Sequence, residues 1–212
     1  LYVRALDVAD QSGEPALMAR ALTTLAAYYR IIQDTDNALS YYDQALTNWA
    51  TVGDERQLAN IHLAIGSIYQ AEQKFTEAKA SYDAALNSGQ LSGDQTALAN
   101  VHTAFGSYYQ QTQQSSPAID AYRSAMEAWQ TTGNRRNAER MRATLWRLLQ
   151  QSGQFDAAMT LTSETVGWTG PPDGATVRGL VDVEGMAAHA EFLRYELWLL
   201  PNGDEDEAIR FS

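Results

Sequence analysis

Two of the three histidines lie at equivalent places in the sequence. His62 and His102 are separated by an interval that recurs elsewhere in the chain, and both fall among apolar residues spaced as on a helix. Imidazoles brought together from neighbouring helices could bind a metal ion or a ligand. No third ligand shares their phase, and a closed zinc site needs more ligands than this pair supplies. We therefore expect both histidines to fill the same packing position in two copies of a repeat, and we predict no metal site.

Arginines are concentrated in one segment of an otherwise acidic chain, at Arg135, Arg136, Arg140, Arg142 and Arg147. On a helix, Arg136, Arg140 and Arg147 share one face. Because the planar guanidinium group matches carboxylate and phosphate geometry, these three form a candidate anion site. The alternative interpretation is a solvated face that is paired with Glu139 and nearby acids.

Motifs of common catalytic and cofactor sites are missing from the sequence. It has no cysteine, which excludes disulfides, thiolate metal sites and cysteine nucleophiles. It also lacks a phosphate-binding loop, a GxSxG elbow, an HExxH pair and a dinucleotide fingerprint. The acidic run 204–207 does not have the spacing of an EF-hand loop, so we interpret it as a solvated turn. We predict no catalytic residues and no cofactor, and we expect that the chain is not an enzyme.

Charge and hydropathy restrict the classes of partner. The 212 residues are 45% hydrophobic and 19% charged, which is typical of a folded protein rather than a disordered one. The formal net charge of −11 repels phosphate backbones, so we predict no nucleic-acid partner. No run approaches the length of about 18 apolar residues that marks a membrane span.

The sequence repeats itself at a constant interval. Glycine marks that interval, each time before a residue that begins a helix, at Gly13–Glu14, Gly53–Asp54, Gly93–Asp94 and Gly133–Asn134. Glycine readily takes the left-handed conformation that ends a helix, and Asp or Asn caps the next one. A second series of expected N-caps follows at Asp36, Thr76, Ser116 and Asp156, with Pro117 at the first helical position. Each unit is therefore predicted to be a helical hairpin.

Small and aromatic residues recur at fixed places inside the unit. They are Gly66, Tyr69, Ala78, Tyr82 and Ala85, and then Gly106, Tyr109, Ala118, Tyr122 and Ala125. Small residues let helices approach closely, and stacked hairpins share a core that one hairpin cannot form alone. This order resembles the tetratricopeptide repeat. The period, roughly 40 residues, exceeds the usual one of about 34 residues, as in a longer variant of bacterial regulatory and signalling proteins.

Tyrosine doublets accompany the repeat, at Tyr28–Tyr29, Tyr41–Tyr42 and Tyr108–Tyr109. They could form a stacking surface for a ligand. At this spacing we interpret them mostly as core, with the second member of each doublet on a motif position and the first member more exposed.

The resemblance implies a mainly α fold, a right-handed solenoid of helical hairpins. It also implies a concave groove that is lined by the first helix of each hairpin and receives a protein or peptide partner. Carried over by position, the groove residues are Arg20, Thr23, Arg30, Asn60, Leu63, Ser67, Gln70, Asn100, Thr103, Ser107, Gln110, Arg140 and Arg147. Mixed amides and hydroxyls of this kind suit hydrogen bonding to a peptide backbone.

The residue pattern changes after about residue 167, where the repeat ends and turn-forming residues follow. Residues 193–199 alternate as in a half-buried strand, and 209–211 are expected to begin another. The run from Pro171 to Gly185, followed by Phe192, Tyr195 and Leu197, resembles the start of a bacterial immunoglobulin-like module. The resemblance implies a small C-terminal β segment, a partial sandwich.

The predicted domain organisation follows from these patterns. It comprises the second helix of a truncated upstream repeat (1–12), four repeats (13–52, 53–92, 93–132 and 133–166), a linker (167–174) and an incomplete Ig-like domain (175–212). We expect a fragment of a bacterial protein that acts as a protein- or peptide-binding scaffold. The alternative is a structural spacer in a modular bacterial surface or signalling protein. The Ig-like segment favours an extracytoplasmic location, although the sequence alone leaves the compartment open.

Overall fold

The computed structural model describes residues 2–163, 197–199 and 209–211. The helices are α1 Tyr2–Ser12, α2 Pro15–Ile31, α3 Thr35–Val52, α4 Glu55–Ala71, α5 Phe75–Ser92, α6 Gln95–Gln111, α7 Ser115–Thr131, α8 Arg135–Gln151 and α9 Phe155–Ser163. Strands β1 (Leu197–Leu199) and β2 (Ile209–Phe211) pair antiparallel, with Trp198 opposite Arg210. The predicted mainly helical repeat fold is confirmed for the described residues.

The chain divides into two compact units, Leu1–Leu148 and Leu149–Ser212. In the first unit α2 packs with α3, α4 with α5, and α6 with α7. Each pair is joined by a short turn (32–34, 72–74 and 112–114), of a length typical of antiparallel helical hairpins. The first helices α4 and α6 also contact each other, so neighbouring hairpins lie side by side. The second unit contains α9 and the two strands.

Glycine ends the second helix of each hairpin, as predicted. Gly53 (φ 76°) and Gly93 (φ 65°) are the left-handed C-caps of α3 and α5, and Gly133 (φ 71°) follows the C-cap of α7. The next residue then caps the following helix. Asp54 accepts from the backbone N–H of Gln57, and Asp94 accepts from those of Thr96 and Ala97. These contacts confirm the expected glycine turns and first-helix caps.

The turn inside each hairpin has a feature that the sequence did not reveal. Gln33, Gln73 and Gln113 take the left-handed conformation, with φ of 61°, 60° and 59°. In the middle hairpin the N–H of Lys74 donates to the carbonyl of Tyr69 (2.9 Å) and that of Gln73 to the carbonyl of Gln70 (3.1 Å). This is the Schellman pattern of helix termination, which usually employs glycine. In the second unit the equivalent position does hold glycine, Gly153 (φ 74°).

The predicted N-caps of the second helices were placed too late. Helices α3, α5, α7 and α9 begin at Thr35, Phe75, Ser115 and Phe155, so Asp36, Thr76, Ser116 and Asp156 lie in their first turns. In the first hairpin Asp34 is the cap and accepts from the N–H of Asn37. Pro117 is the third helical residue rather than the first. It is tolerated there because N–H groups of the first turn have no intrahelical acceptor.

Small residues bring the two helices of a hairpin together. Ala38, Ala78 and Ala118 are fully buried, as are Ala45, Ala85 and Ala125. Gly66 and Gly106 lie directly against the rings of Tyr82 and Tyr122. The aromatic ring therefore occupies the space that a side chain at the glycine would need.

The Ig-like interpretation falls largely on residues outside the described part of the chain. Those residues include the run from Pro171 to Gly185, which carries most of the resemblance, and the linker 167–174. The hairpin of β1 and β2 is what the structure describes of residues 175–212. A partial sandwich stays a prediction.

Candidate functional site

The predicted groove residues occupy equivalent places on α2, α4, α6 and α8. Arg20, Asn60, Asn100 and Arg140 stand at one repeat position, and all four are exposed. Ser67, Ser107 and Arg147 stand at another position, and Arg30, Gln70 and Gln110 at a third. Residues at one repeat position therefore form a series that continues from one first helix to the next.

Hydroxyl groups on this face turn back to their own helices. Thr23 donates to the carbonyl of Ala19 (2.7 Å), Ser67 to that of Leu63 (2.8 Å) and Thr103 to that of Ala99 (2.7 Å). Thr23 also accepts from the buried indole Nε1 of Trp49 at 3.1 Å. These hydroxyls serve the fold, so the outward hydrogen-bonding capacity comes from amide and guanidinium groups.

Tyrosine hydroxyls orient the glutamines at the third position. Tyr82 Oη donates to Gln70 Oε1 at 2.7 Å, and in the next repeat Tyr122 Oη donates to Gln110 Oε1 at 2.9 Å. In the first hairpin the positive charge of Arg30 acts on the Tyr42 hydroxyl and opposes the effect of burial on its pKa. Burial raises the pKa of all three tyrosines, so they remain neutral donors at physiological pH. We did not foresee this pairing, although the spacing between its two partners recurs with the repeat.

Gln70 also links two neighbouring first helices. Its Nε2 donates to Ser107 Oγ at 3.3 Å and to Gln111 Oε1 at 2.8 Å on α6. Because its Oε1 is held by Tyr82, the Gln70 amide has little capacity left for a partner. Gln110 differs from Gln70, because among the described residues its side chain hydrogen-bonds to Tyr122 alone.

The arginines of α8 separate into two groups. Glu139 binds Arg142, with both carboxylate oxygens within 2.9 Å of Nη1. Arg136, Arg140 and Arg147 are exposed and make no ion pair within the described residues. The positive charges of Arg147 and Arg140 act on the Tyr122 hydroxyl and oppose the burial that raises its pKa.

His62 and His102 occupy matching, half-buried places on α4 and α6. Burial lowers the pKa of each imidazole, partly opposed by Asp43 and Glu55 for His62 and by Glu127 for His102. Within the described residues no group of three or more His, Cys, Asp or Glu is arranged to hold a metal ion.

The tyrosine doublets are only partly as predicted. Tyr28, the first member of its doublet, is 39% exposed, and Tyr42, the second member of the next doublet, is buried. The third doublet is reversed, with Tyr108 buried and Tyr109 half-buried. The reason is that the Tyr108 ring packs edge-on against Phe75 and Tyr82 of the preceding hairpin.

A cleft of about 590 Å³ lies elsewhere in the first unit. It is formed by the turns 52–56 and 91–94 and contains the Arg56–Asp94 ion pair, with 4.0 Å between Nε and Oδ2. None of the predicted groove residues lines it. Among the described helices, none is both long and apolar enough to cross a membrane.

Family profiles match the repeats directly. Residues 19–48 and 57–131 match profiles described as tetratricopeptide repeat. These residues are tetratricopeptide repeats. The two matched ranges contain Tyr42, Gly66, Tyr82, Gly106 and Tyr122, the glycines and tyrosines that hold the hairpins together.

Two solved structures have a fold similar to that of this chain. The chain is similar to BtubC (BKLC) from P. vanneervenii, with TM-score 0.64 and 22% identity over 86% of this chain and 78% of that one. It is also similar to aspartyl phosphate phosphatase F from Bacillus subtilis, with TM-score 0.58 and 12% identity. That match covers 75% of this chain and 42% of the phosphatase, so this chain spans less than half of its length. At these identities the likeness shows the fold alone. No curated protein matches the sequence.

Proposed function

We propose that the chain is a protein- or peptide-binding scaffold whose binding face is formed by α2, α4, α6 and α8. One observation carries the proposal. Exposed amide and guanidinium groups recur at matching positions on neighbouring first helices, at Arg20, Asn60, Asn100 and Arg140. Tetratricopeptide repeats generally mediate protein–protein interactions, which supports the same function.

An extended polypeptide suits this row of side chains. Each Asn presents one acceptor and two donors, which match the carbonyl and N–H groups of a peptide backbone. Asn60 and Asn100 have no hydrogen-bond partner for their side chains among the described residues. Because Tyr122 holds Gln110 in place, less side-chain entropy is lost there when a partner binds.

The test compares two triple variants of the full chain. Asn60→Ala, Asn100→Ala and Arg140→Ala together remove three of the four side chains in the proposed row. Gln44→Ala, Asn87→Ala and Arg123→Ala remove matching exposed groups from the second helices α3, α5 and α7. After circular dichroism shows equal helicity, polypeptides that co-purify with each chain from its source organism are compared. We expect specific partners to be lost from the first variant only, and equal recovery by both variants would contradict the proposal.

A structural spacer is the second candidate, and one contact favours it. Gln70 uses its amide group to join α4 to α6 and to Tyr82, rather than keeping it open for a partner. A spacer would need such rigidity and no open binding face. Under this alternative neither triple variant changes what co-purifies.

The wider context is also a proposal. We infer an array without catalytic activity, which we propose to be a right-handed solenoid in a modular bacterial surface or signalling protein. The pattern from Pro171 to Gly185 supports an Ig-like module after the repeats. An expressed chain of residues 167–212 with a β-sandwich fold by NMR would support that part, and a helical one would contradict it.

A further inference from the structure

We propose that the cleft between the turns 52–56 and 91–94 is a second docking surface, which binds a polypeptide segment that carries an apolar side chain next to lysine or arginine. None of the predicted groove residues lines this cleft. The inference therefore goes beyond the proposed function and does not depend on it.

Two exposed apolar side chains border the cleft. Val52 ends α3 and is 42% exposed, and Leu91 lies near the end of α5 and is 66% exposed. The fold does not need an apolar residue at either place, because the other repeats hold polar ones. Those residues are Ser12, Ser92 and Thr132 at the position of Val52, and Gln11, Thr51 and Thr131 at that of Leu91. Apolar residues that the fold does not require, brought together on one cleft, indicate contact with another molecule.

Carboxylates outnumber basic groups among the described residues of the cleft. Asp54, Glu55 and Asp94 line it together with Arg56. Arg56 Nε and Asp94 Oδ2 are 4.0 Å apart, and 57% of the Arg56 side chain is exposed, so this ion pair is weak. Asp54 and Asp94 use Oδ1 to cap α4 and α6, which offsets the partial positive charge of about half a unit at each helix N-terminus. The Glu55 carboxylate adds to these charges, so the cleft stays negative and suits a cation.

A lysine or arginine side chain matches both features of the cleft. Its methylene stem packs on apolar surface while its charged end reaches a carboxylate. An apolar residue beside it in the same segment can cover Val52 or Leu91. The chain as a whole has a net charge of −11, which further favours approach of a basic segment.

The cleft is open to solvent, which favours a polypeptide over a small molecule. Its volume of about 590 Å³ lies within the range of about 300 to 1,000 Å³ that is usual for ligand sites. None of the residues that line it is buried, however. A small ligand usually has most of its surface enclosed, whereas a polypeptide can cross an open cleft and contact the polar surface around it.

The repeats themselves supply a variant that removes the apolar pair. Val52→Ser with Leu91→Thr follows the next repeat, which holds polar residues at the same two positions, Ser92 and Thr131. The fold should therefore persist, and circular dichroism checks that it does. The matched control is Ile31→Gln with Ile32→Thr, which removes two exposed apolar side chains from the turn between α2 and α3.

A second variant removes negative charge and keeps the helix caps. It combines Glu55→Gln with Asp94→Asn. Asparagine serves as a cap in this chain, since Asn134 Oδ1 accepts from a backbone N–H at 3.2 Å. The charge-matched control is Asp120→Asn with Glu127→Gln, at two exposed positions of α7.

Binding is measured on the full chain by fluorescence anisotropy of labelled peptides of one length. The probes are a Lys-Leu-Ser repeat, a Gln-Leu-Ser repeat, a Lys-Ser-Ser repeat and a Glu-Leu-Ser repeat. We expect the Lys-Leu-Ser peptide to bind most tightly, because it alone combines apolar and basic side chains. The Val52/Leu91 variant should lose about tenfold in affinity for it. The Glu55/Asp94 variant should lose about threefold at low salt, and salt should weaken binding to the unmodified chain. Both controls should stay within about twofold.

Four outcomes would overturn the inference. The first is no binding of the Lys-Leu-Ser peptide, or equally tight binding of the Gln-Leu-Ser peptide. The second is an equal loss of affinity in the cleft variants and their controls. The third is self-association of the full chain in sedimentation velocity that Val52→Ser with Leu91→Thr abolishes, which would identify a second copy as the occupant.

The fourth outcome separates the two surfaces. The Asn60/Asn100/Arg140 variant should bind the Lys-Leu-Ser peptide as tightly as the unmodified chain does. A loss in that variant, without a loss in the cleft variants, would place the peptide on the first helices and contradict a second surface. Failure of the cleft would leave the proposed function to be judged by the partners that co-purify.

Discussion

A Cβ atom at Gly66 would lie 2.5 Å from Cε1 of Tyr82, closer than packed side chains approach one another. Gly106 stands in the same relation to Tyr122, at 2.6 Å. The ring cannot move aside easily because Tyr82 is only 1% exposed. Each of these two hairpins therefore depends on a glycine in the middle of its first helix, where propensity alone would favour alanine.

Gly66→Ala should therefore destabilise the array by about 1 to 3 kcal/mol, because overpacking outweighs the gain in helix propensity. Gly89→Ala is the matched control. It is also a helical glycine, but its Cβ would meet the flexible Leu98 side chain at 3.2 Å. Urea titration followed by circular dichroism should show a lower midpoint for the first variant and little change for the second. A stabilised Gly66→Ala would show that the ring does not constrain this position.

Gln73→Gly should stabilise the chain by about 0.5 to 1 kcal/mol, because the left-handed conformation at φ 60° strains a residue with a Cβ and glycine relieves that strain. Gln44→Gly, in the middle of α3, should instead cost about 1 kcal/mol because helical glycine is unfavourable. The opposite signs are read from the shift in thermal midpoint. A loss of stability at both positions would mean that the Gln73 side chain contributes more than its backbone strain.

The Tyr82–Gln70 hydrogen bond should be measurable as a coupling energy. Tyr82→Phe and Gln70→Ala each remove one partner of the 2.7 Å contact. We expect the double-mutant cycle to give about 0.5 to 1.5 kcal/mol of coupling, the usual range for a neutral hydrogen bond. Additive effects would indicate that the amide is held by Ser107 and Gln111 alone.

Stability should fall as the pH drops from neutrality towards about 5. Burial lowers the pKa of His62 and His102 in the folded chain, so the unfolded chain binds protons first as the pH passes its ordinary histidine pKa of about 6.5. Urea midpoints measured across this interval should therefore decrease. The His62→Gln, His102→Gln double variant should lose less stability over the same interval. An identical loss in both chains would assign the effect to other groups.

The elements that the sequence predicted well are those that local residue preferences determine, such as glycine at a left-handed turn. The left-handed turns at Gly53 and Gly93 followed from glycine before an acidic cap, and the hairpins followed from helical spacing. The glutamine turns at Gln33, Gln73 and Gln113 escaped notice because glutamine has no general preference for positive φ. The second-helix caps were misplaced because the N-caps of α5 and α7 are Lys74 and Gln114, which make no side-chain capping bond. The preference for Ser, Thr or Asp at an N-cap therefore pointed to later residues.

The repeat comparison predicted on which helices the candidate residues lie, but not the hydrogen bonds that they make. Repeat register located Gln70 and Gln110 at equivalent places, and both lie on first helices. Sequence alone did not show that Tyr82 and Ser107 engage one amide while the other has Arg147 at the corresponding place. Such differences depend on side-chain hydrogen bonds between helices, which a repeat comparison does not contain.

The binding face is tested most directly by site-specific cross-linking. Because the chain has no cysteine, Asn100→Cys and Ser40→Cys can each carry a single benzophenone label, on α6 and on α3. The two full-length labelled chains are irradiated in extract of the source organism, and cross-linked polypeptides are identified by mass spectrometry. The proposed function predicts a defined polypeptide captured from position 100 and absent from position 40. The same products from both positions, or products from position 40 alone, would contradict a binding face on the first helices.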